Sequence, residues 1–543
     1  SRGAEDNGAD ASYQFGSFNT HRATAMARVA SDDSLFFLQA TGFYDYSDND
    51  FPITVENDQL TVDRANGDYQ SSGARLRVGG GSLPWARVVD ATAYYSEANA
   101  GVPHNLVMGV PYSDVSTDIA VAGVTLRYGI DSRDDFDFDF LLNVSRERRE
   151  LLDVSNCISD WTECSSTRLQ FGEIQAELTD SFIDTDRVFA RATAEWSIDW
   201  DHTIRLSVTP DLTLRDGDNR LNDGRDVLES DRRVLSTVGG VEWEGEFYDS
   251  RLSTIAFAKG YVQSAQSQEP GLSQTVETRR ASTSQGGIGA SARWTVVDSL
   301  IAKASYEWAT RLPSATEYFG DNLFVSANLD LEAERSHNAN LQLIGNFEDD
   351  SLGAVRIETT GFVRDVSEQI VLFPRTMSSV YRNLLAARSY GLESSVSVRS
   401  RNDGVVVGAN ATLLELRNTS DEGEFSDFEG DRVPNRPYRF ANAFLRIQFD
   451  SVFDTDDVFR FDWNSRFVGE FFRTWESQGL QTLKQTVDTQ LQHGAALIYT
   501  LRSSAGEVAL AAEASNLTNE RVFDVFGAQR PGRAVFTKLT LSF

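Results

Sequence analysis

Five histidines, two cysteines and a high density of carboxylates are the raw material from which chemistry could be built in this 543-residue chain. The histidines, His21, His104, His202, His337 and His493, are scattered, and no two have the spacing of paired metal ligands. Gly287-Ile288-Gly289 is a lone Gly-x-Gly inside a strand-like run. It lacks the third glycine and the following helix that a phosphate cradle needs. No Gly-x-Ser-x-Gly nucleophile elbow occurs. Carboxylate pairs abound, but 81 Asp and Glu residues supply such pairs by chance. The sequence therefore predicts a protein that is not an enzyme.

Two further groups of residues bear on ligands and compartment. Asp45, Asp48, Asn49, Asp50, Glu56, Asn57, Asp58 and Asp63 crowd one polar stretch, and oxygen-rich loops can hold Ca²⁺. The same residues also make a solvated, self-repelling surface, cross-bridged by divalent cations in a lipopolysaccharide layer. No other cofactor or metal is implied. Cys157 and Cys164 close a short polar loop with no other cysteine in the chain, which reads as a disulfide formed in an oxidising compartment. A pair of free thiols is the alternative; zinc would need two more ligands, and no histidine is near. A formal charge of −31 disfavours nucleic-acid binding, which needs a basic face. No secretory leader is recognisable, so a processed N-terminus is expected.

The elements that must position these residues are strands. Hydrophobic residues make up 41%, mean hydropathy is −0.34, and no apolar run is long enough for a membrane-spanning helix. A two-residue period instead repeats from end to end. Val188, Ala190, Ala192, Ala194 and Trp196 alternate with Arg191, Thr193 and Glu195. Phe459, Phe461, Trp463 and Phe467 alternate with Arg460, Asp462, Asn464 and Arg466. Such segments have one apolar and one wet face. Many reach the length that crosses a bilayer when tilted, and aromatics such as Tyr44, Tyr128 and Trp196 sit at segment ends. Short connections alternate with long polar ones. The long ones include residues 46–68, 97–118, 215–230, 263–285, 311–335, 418–436 and 470–483. The expected fold is all-β: a large transmembrane antiparallel up-and-down barrel of about 22 strands, with short periplasmic turns and long extracellular loops. Residues 1–12 form a polar lead-in and 13–543 the barrel, with the pairing between 168 and 214 left open. The last strand alternates Leu539, Leu541 and Phe543 with Lys538, Thr540 and Ser542. A terminal Phe on such a strand looks like the signal read by the bacterial barrel-assembly machinery, which places the chain in the outer membrane among lipid and lipopolysaccharide.

Four ordered stretches resemble the barrel domain of the TonB-dependent outer-membrane receptors. Ala514-Ser515-Asn516-Leu517-Thr518-Asn519-Glu520 with Arg530-Pro531-Gly532-Arg533 is similar to the family's closing segment. Arg311-Leu312-Pro313-Ser314 with Asn328-Leu329-Asp330-Leu331-Glu332-Ala333-Glu334 is similar to its mid-barrel loop, with Leu329 and Ala333 where prolines are usual. Tyr390-Gly391-Leu392-Glu393 and Tyr13-Gln14-Phe15-Gly16 resemble two of its strands. The resemblance implies uptake of a scarce, bulky nutrient such as a ferric siderophore, a cobalamin-like molecule or a glycan. It also implies that residues at outer-loop bases touch the ligand; those at corresponding places are His104, Tyr112, Tyr318, Phe319 and Phe526.

The departure is at the front, where the family carries a globular plug that contacts the TonB system. Only Ser1 to Ser12 precede the first strand-like run. A separate plug polypeptide, a precursor cleaved between plug and barrel, and a barrel repurposed without a plug are the three explanations. So wide a barrel is normally occluded, which favours a plug-like partner in the lumen, linked to TonB through that plug. The alternative is a structural outer-membrane scaffold with transport lost; an open diffusion channel ranks last because it would leak.

Overall fold

A computed structural model of the chain describes residues 7–31, 36–55, 60–64, 66–83, 86–102, 115–133, 135–153, 179–221, 231–270, 276–321, 325–349, 353–374, 379–479, 486–524 and 529–543. Among them, one sheet of 23 strands closes on itself. One of these is a two-residue piece, Val325–Ser326, laid parallel to the strand Ser379–Arg399. The other 22 make the wall, each antiparallel to its sequence neighbours, so the expected up-and-down barrel is what forms. The wall begins at Gly8: the strand Gly8–Gly16 pairs with Thr20–Ala30 on one side and with the last strand, Ala534–Ser542, on the other. Closure leaves no open edge, which matters because unpaired backbone groups are not tolerated in hydrocarbon. Among the described residues, no helix is long and apolar enough to cross a membrane.

The two-residue period sorts side chains as the alternation requires. Leu206 (55% exposed), Ile288 (54%) and Leu341 (60%) point outward with no protein over them. Leaving a whole band of such residues in water would forfeit roughly 1.5–3 kcal/mol per side chain, so the band belongs in lipid. Trp196 and Tyr128 stand outward near the short-turn rim, as an interfacial girdle does. The described histidines stand outward among girdle aromatics, His202 at the short-turn rim and His21, His337 and His493 at the long-loop rim, and none belongs to a metal site among the described residues. His21 is hydrogen-bonded to Tyr13 at 2.6 Å and His337 to Tyr306 at 2.8 Å, while His493 stacks on Trp463 and His202 on Trp243.

Several inward positions pair a glycine directly with an aromatic on the next strand: Gly73 with Phe43, Gly79 with Phe37, Gly123 with Tyr94, Gly289 with Phe257, Gly391 with Phe362 and Gly408 with Phe444. A Cβ at Gly391 would lie 2.7 Å from the Phe362 ring, and one at Gly73 2.5 Å from Phe43. In each pair the ring takes the space a Cβ would need, which only glycine leaves free. The Gly-x-Gly at 287–289 is part of this arrangement.

Connections alternate in length as expected. The structure departs from the sequence reading in the height of the strands. Residues 97–118 and 263–285 hold the hairpins Ala86–Gly101 with Ser116–Arg133 and Leu252–Pro270 with Val276–Val297, whose strands run well into the stretches read as loops. Likewise His202–Asn219 continues past Arg215. Beyond the bilayer both faces of a strand are wet, so the apolar alternation stops while the ladder continues. The open region resolves into Thr179–Ser197 paired with His202–Asn219, which keeps the count even.

Candidate ligand-capture site at the barrel mouth

The inward face of the wall is an ionic lattice. Arg205 reaches Glu195, Glu242 and Glu244 at 2.6, 2.7 and 2.8 Å. Arg187 holds Asp211 at 2.6 Å, Lys259 holds Glu307 at 2.9 Å, and Asp462 lies between Arg446 and Arg460. These side chains are a quarter to a half exposed, so they face water or whatever fills the lumen. In that setting each pair is worth little to stability, and its consequence is a polar, hydrogen-bonding surface.

At the long-loop rim this wall carries a folded roof. Residues 312–333 include the short helix Ala315–Phe319, started by a capping box in which Ser314 and Glu317 satisfy each other's backbone N–H. Arg311 ties Glu317 (2.9 Å) to Glu334 (2.5 Å). Tyr318 (1% exposed) and Phe319 (0%) pack against Val234, Ala265, Leu329, Leu331 and Ile370. Val234 and Ala265 are inward wall positions, so the loop folds over the lumen. The Tyr318 hydroxyl donates to Gln263 at 3.2 Å, and the Gln263 amide donates to the Pro313 carbonyl at 2.8 Å. Burial pushes the Tyr318 phenol up to about 12. Arg215 donates to the Gly320 carbonyl at 2.7 Å and to Thr316 Oγ1 at 3.2 Å.

A second roof body, on the outer side of the rim, joins the stretches 419–438 and 469–489. Its Tyr438, Phe471 and Phe472 line a hollow that opens on the outward face. Trp475 lies parallel to Phe428 (5.0 Å, 4°) and tilted against Phe425 (5.3 Å). The backbone N–H of Asn435 donates to the Phe472 carbonyl at 2.7 Å, and Ser477 donates to Asp431 from both N–H and hydroxyl. Beneath lies a core of Tyr438, Val468, Phe471 and Val487. The mouth thus offers rigid aromatic and hydrogen-bonding surface above a charged shaft. That suits non-covalent capture; the Ser465 hydroxyl meets His493 Nδ1 at 2.5 Å, but both stand on the outward face, away from the mouth.

Of the residues expected to touch ligand, Tyr318 and Phe319 are brought together, and in this state they are taken up by packing within the roof. His104, Tyr112 and Phe526 lie outside the described residues, as do Cys157 and Cys164. In the acidic first loop, Asp45 is paired with Arg22 at 3.0 Å and Asp48 accepts the Tyr46 hydroxyl at 2.5 Å; Glu56, Asn57 and Asp58 are not described. Among the described residues no three His, Cys, Asp or Glu side chains are grouped to hold a metal. Sequence reasoning missed Arg215, Gln263 and the Phe425–Phe428–Trp475 stack. Only the last left a signal, as aromatics within otherwise polar stretches.

The fold is shared with solved structures at low sequence identity. The "Copper transporter OprC" matches with a TM-score of 0.76 and 16% identity over 99% of this chain and 81% of its own. BauA, the ferric preacinetobactin receptor from Acinetobacter baumannii, gives 0.72 and 12% over 99% and 80%. The FrpB iron transporter from Neisseria meningitidis gives 0.73 and 11% over 99% and 81%. No curated protein matches the sequence. The family model described as TonB-dependent receptor-like β-barrel matches residues 2–517. The chain therefore belongs to the TonB-dependent receptor β-barrels, integral outer-membrane transport receptors that are not enzymes.

Proposed function

We propose that this barrel is the wall of a receptor that takes up a scarce, bulky nutrient, with a plug-like polypeptide in its lumen. The observation that carries the reading is the pairing of a rigid roof over the mouth with a wide, ionic shaft that is costly to leave open. Among siderophore, cobalamin-like and glycan cargoes, a metal or metal chelate is favoured, because the relatives named above are copper and iron transporters or receptors. Energy reaches the cargo through the plug from TonB, and the barrel-assembly machinery reads the strand ending at Phe543. Tyr318 and Phe319 serve capture by holding the roof, while His104, Tyr112 and Phe526 are the candidates for direct contact.

Mild extraction from native outer membrane followed by mass spectrometry tests this. A plug filling the lumen near one per barrel, in the same polypeptide or a co-purifying one, is the expected result. An empty lumen, or one filled by a protein unrelated to plugs, rejects it and leaves the scaffold role.

A further inference from the structure

The outward face of the barrel carries a hollow of about 1070 Å³ where the aliphatic band meets the long-loop rim. Its floor is Leu341, Val363, Leu392, Leu413 and Phe467, which point away from the lumen. Its upper edge is Tyr390 with Glu415 and Arg432, and the segment Gly469–Phe472 overhangs it. The floor crosses six neighbouring strands, from Glu334–Asp349 to Asp457–Val468, or about 24 Å at the usual strand spacing. Below it, sharing Phe467, a second hollow of about 400 Å³ runs down the lipid face over Ala409, Ala411, Ala441 and Ala443.

Charge fixes which end is which. Glu415 is taken by Arg432 at 2.9 Å and by Arg417. Arg439 differs. It stands directly opposite Leu413, so it faces outward at the level of the aliphatic band; it is exposed and has no ion pair among the described residues. A cation facing hydrocarbon is costly unless an anion meets it. The other unpaired charge on the edge is Glu470, on the overhanging segment.

We propose that this hollow seats one phosphorylated, multiply acylated glycolipid of the outer leaflet. A phosphate meets Arg439, divalent counter-ions of the head satisfy Glu470, and acyl chains lie side by side on the floor and in the alanine-lined hollow below. The width favours a lipid of several chains over a two-chain phospholipid, and the aliphatic-to-charged transition matches the boundary between tails and head. The inference stands on the outward face alone and is independent of what the lumen carries.

The test is native mass spectrometry of the detergent-purified, delipidated complex mixed with lipid A, with dephosphorylated lipid A, or with phosphatidylglycerol. Folding of each variant is checked by heat-modifiable electrophoretic mobility. One retained lipid A per barrel is expected, weakened at least about tenfold by Arg439→Gln or by dephosphorylation, as for loss of a charge-assisted hydrogen bond. Ala443→Trp, which fills the lower hollow, should also weaken it, and Arg233→Glu, an outward charge change elsewhere, should not. Equal retention of phosphatidylglycerol, indifference to Arg439→Gln, or equal loss with Arg233→Glu overturns the proposal.

Discussion

A glycine in a strand is usually a weakness, yet here glycines face aromatic rings across the ladder. The contrast between Gly289 and Gly361 isolates the effect. The space a Cβ would take at Gly289 is met only by the Phe257 ring, whereas nothing lies within 4 Å of that point at Gly361. Gly289→Val should cost roughly 1–3 kcal/mol through forced displacement of Phe257, and Gly361→Val should be close to neutral. The temperature at which the folded band is lost in electrophoretic mobility reads both, and equal effects would reject the role given to the ring. Tyr318 supplies a second residue-scale expectation. Its phenol is raised from 10 to about 12 by burial, so the folded roof favours the neutral form. That stabilisation is fully present below pH 10 and is lost as pH rises from 10 through about 12. The protection factors of residues 314–320, taken after division by the base-catalysed intrinsic rate, should therefore fall across that window in the wild type. In Tyr318→Phe, which gives up the bond to Gln263 at a cost of about 1 kcal/mol, that fall should be absent.

At the scale of elements, what the sequence revealed depended on whether a residue met lipid. Strands such as Asp457–Val468 were legible because bilayer and lumen impose opposite demands on alternate positions, and the tight turns because they interrupt that pattern. The upper parts of Leu252–Pro270 and Val276–Val297 were not, since both their faces are wet and Gln, Ser and Thr there look like loop. The mid-barrel stretch from Arg311 to Glu334 could be placed as a loop, and its capping box lies in Ser314-x-x-Glu317. Its inward fold was hidden, because it depends on Arg215 and Gln263, which are distant in sequence and chemically unremarkable. The second roof body was hidden for the same reason: two loops contribute to one stack. Because Trp475 is shared by Phe425 and Phe428, Trp475→Ala should uncouple the two loops. The expected loss is about 1–3 kcal/mol, below that for a fully buried Trp because Trp475 is only partly buried, read as faster hydrogen exchange in both 419–438 and 469–479, with the strand Asp457–Val468 unchanged. Protection lost in only one loop would show that the stack does not couple them.

For the whole molecule, the net charge of −31 conceals an uneven distribution. Acids crowd the loops and turns, while the wall turns its bases inward: Lys259, Lys303 and Lys538 all face the lumen. Many inward charges cancel in pairs. Among inward charges making no ion pair between described residues, those more than two residues from a strand end are Arg75, Arg191, Arg215, Arg293, Lys303, Arg364 and Lys538 against Glu393, while Arg28, Asp10, Glu246, Glu277, Glu348, Asp450 and Glu513 stand at strand ends. Arg293 and Lys303 even stand directly opposite one another, an arrangement that favours an anionic neighbour. An emptied barrel should then conduct with a preference for anions despite its acidic exterior, because ions inside the shaft lie nearest the charges that line it. Planar-bilayer recording on barrels stripped of their lumen contents, under a salt gradient, gives the sign directly from the reversal potential. The preference should fade as salt rises from about 0.1 to 1 M, where the screening length drops from roughly 10 to 3 Å. Arg293→Glu with Lys303→Glu should move the reversal potential toward cations. Cation preference in the unmodified barrel would mean that the acidic loops, not the wall, govern the shaft, and the case for an acidic surface on its occupant would fall with it.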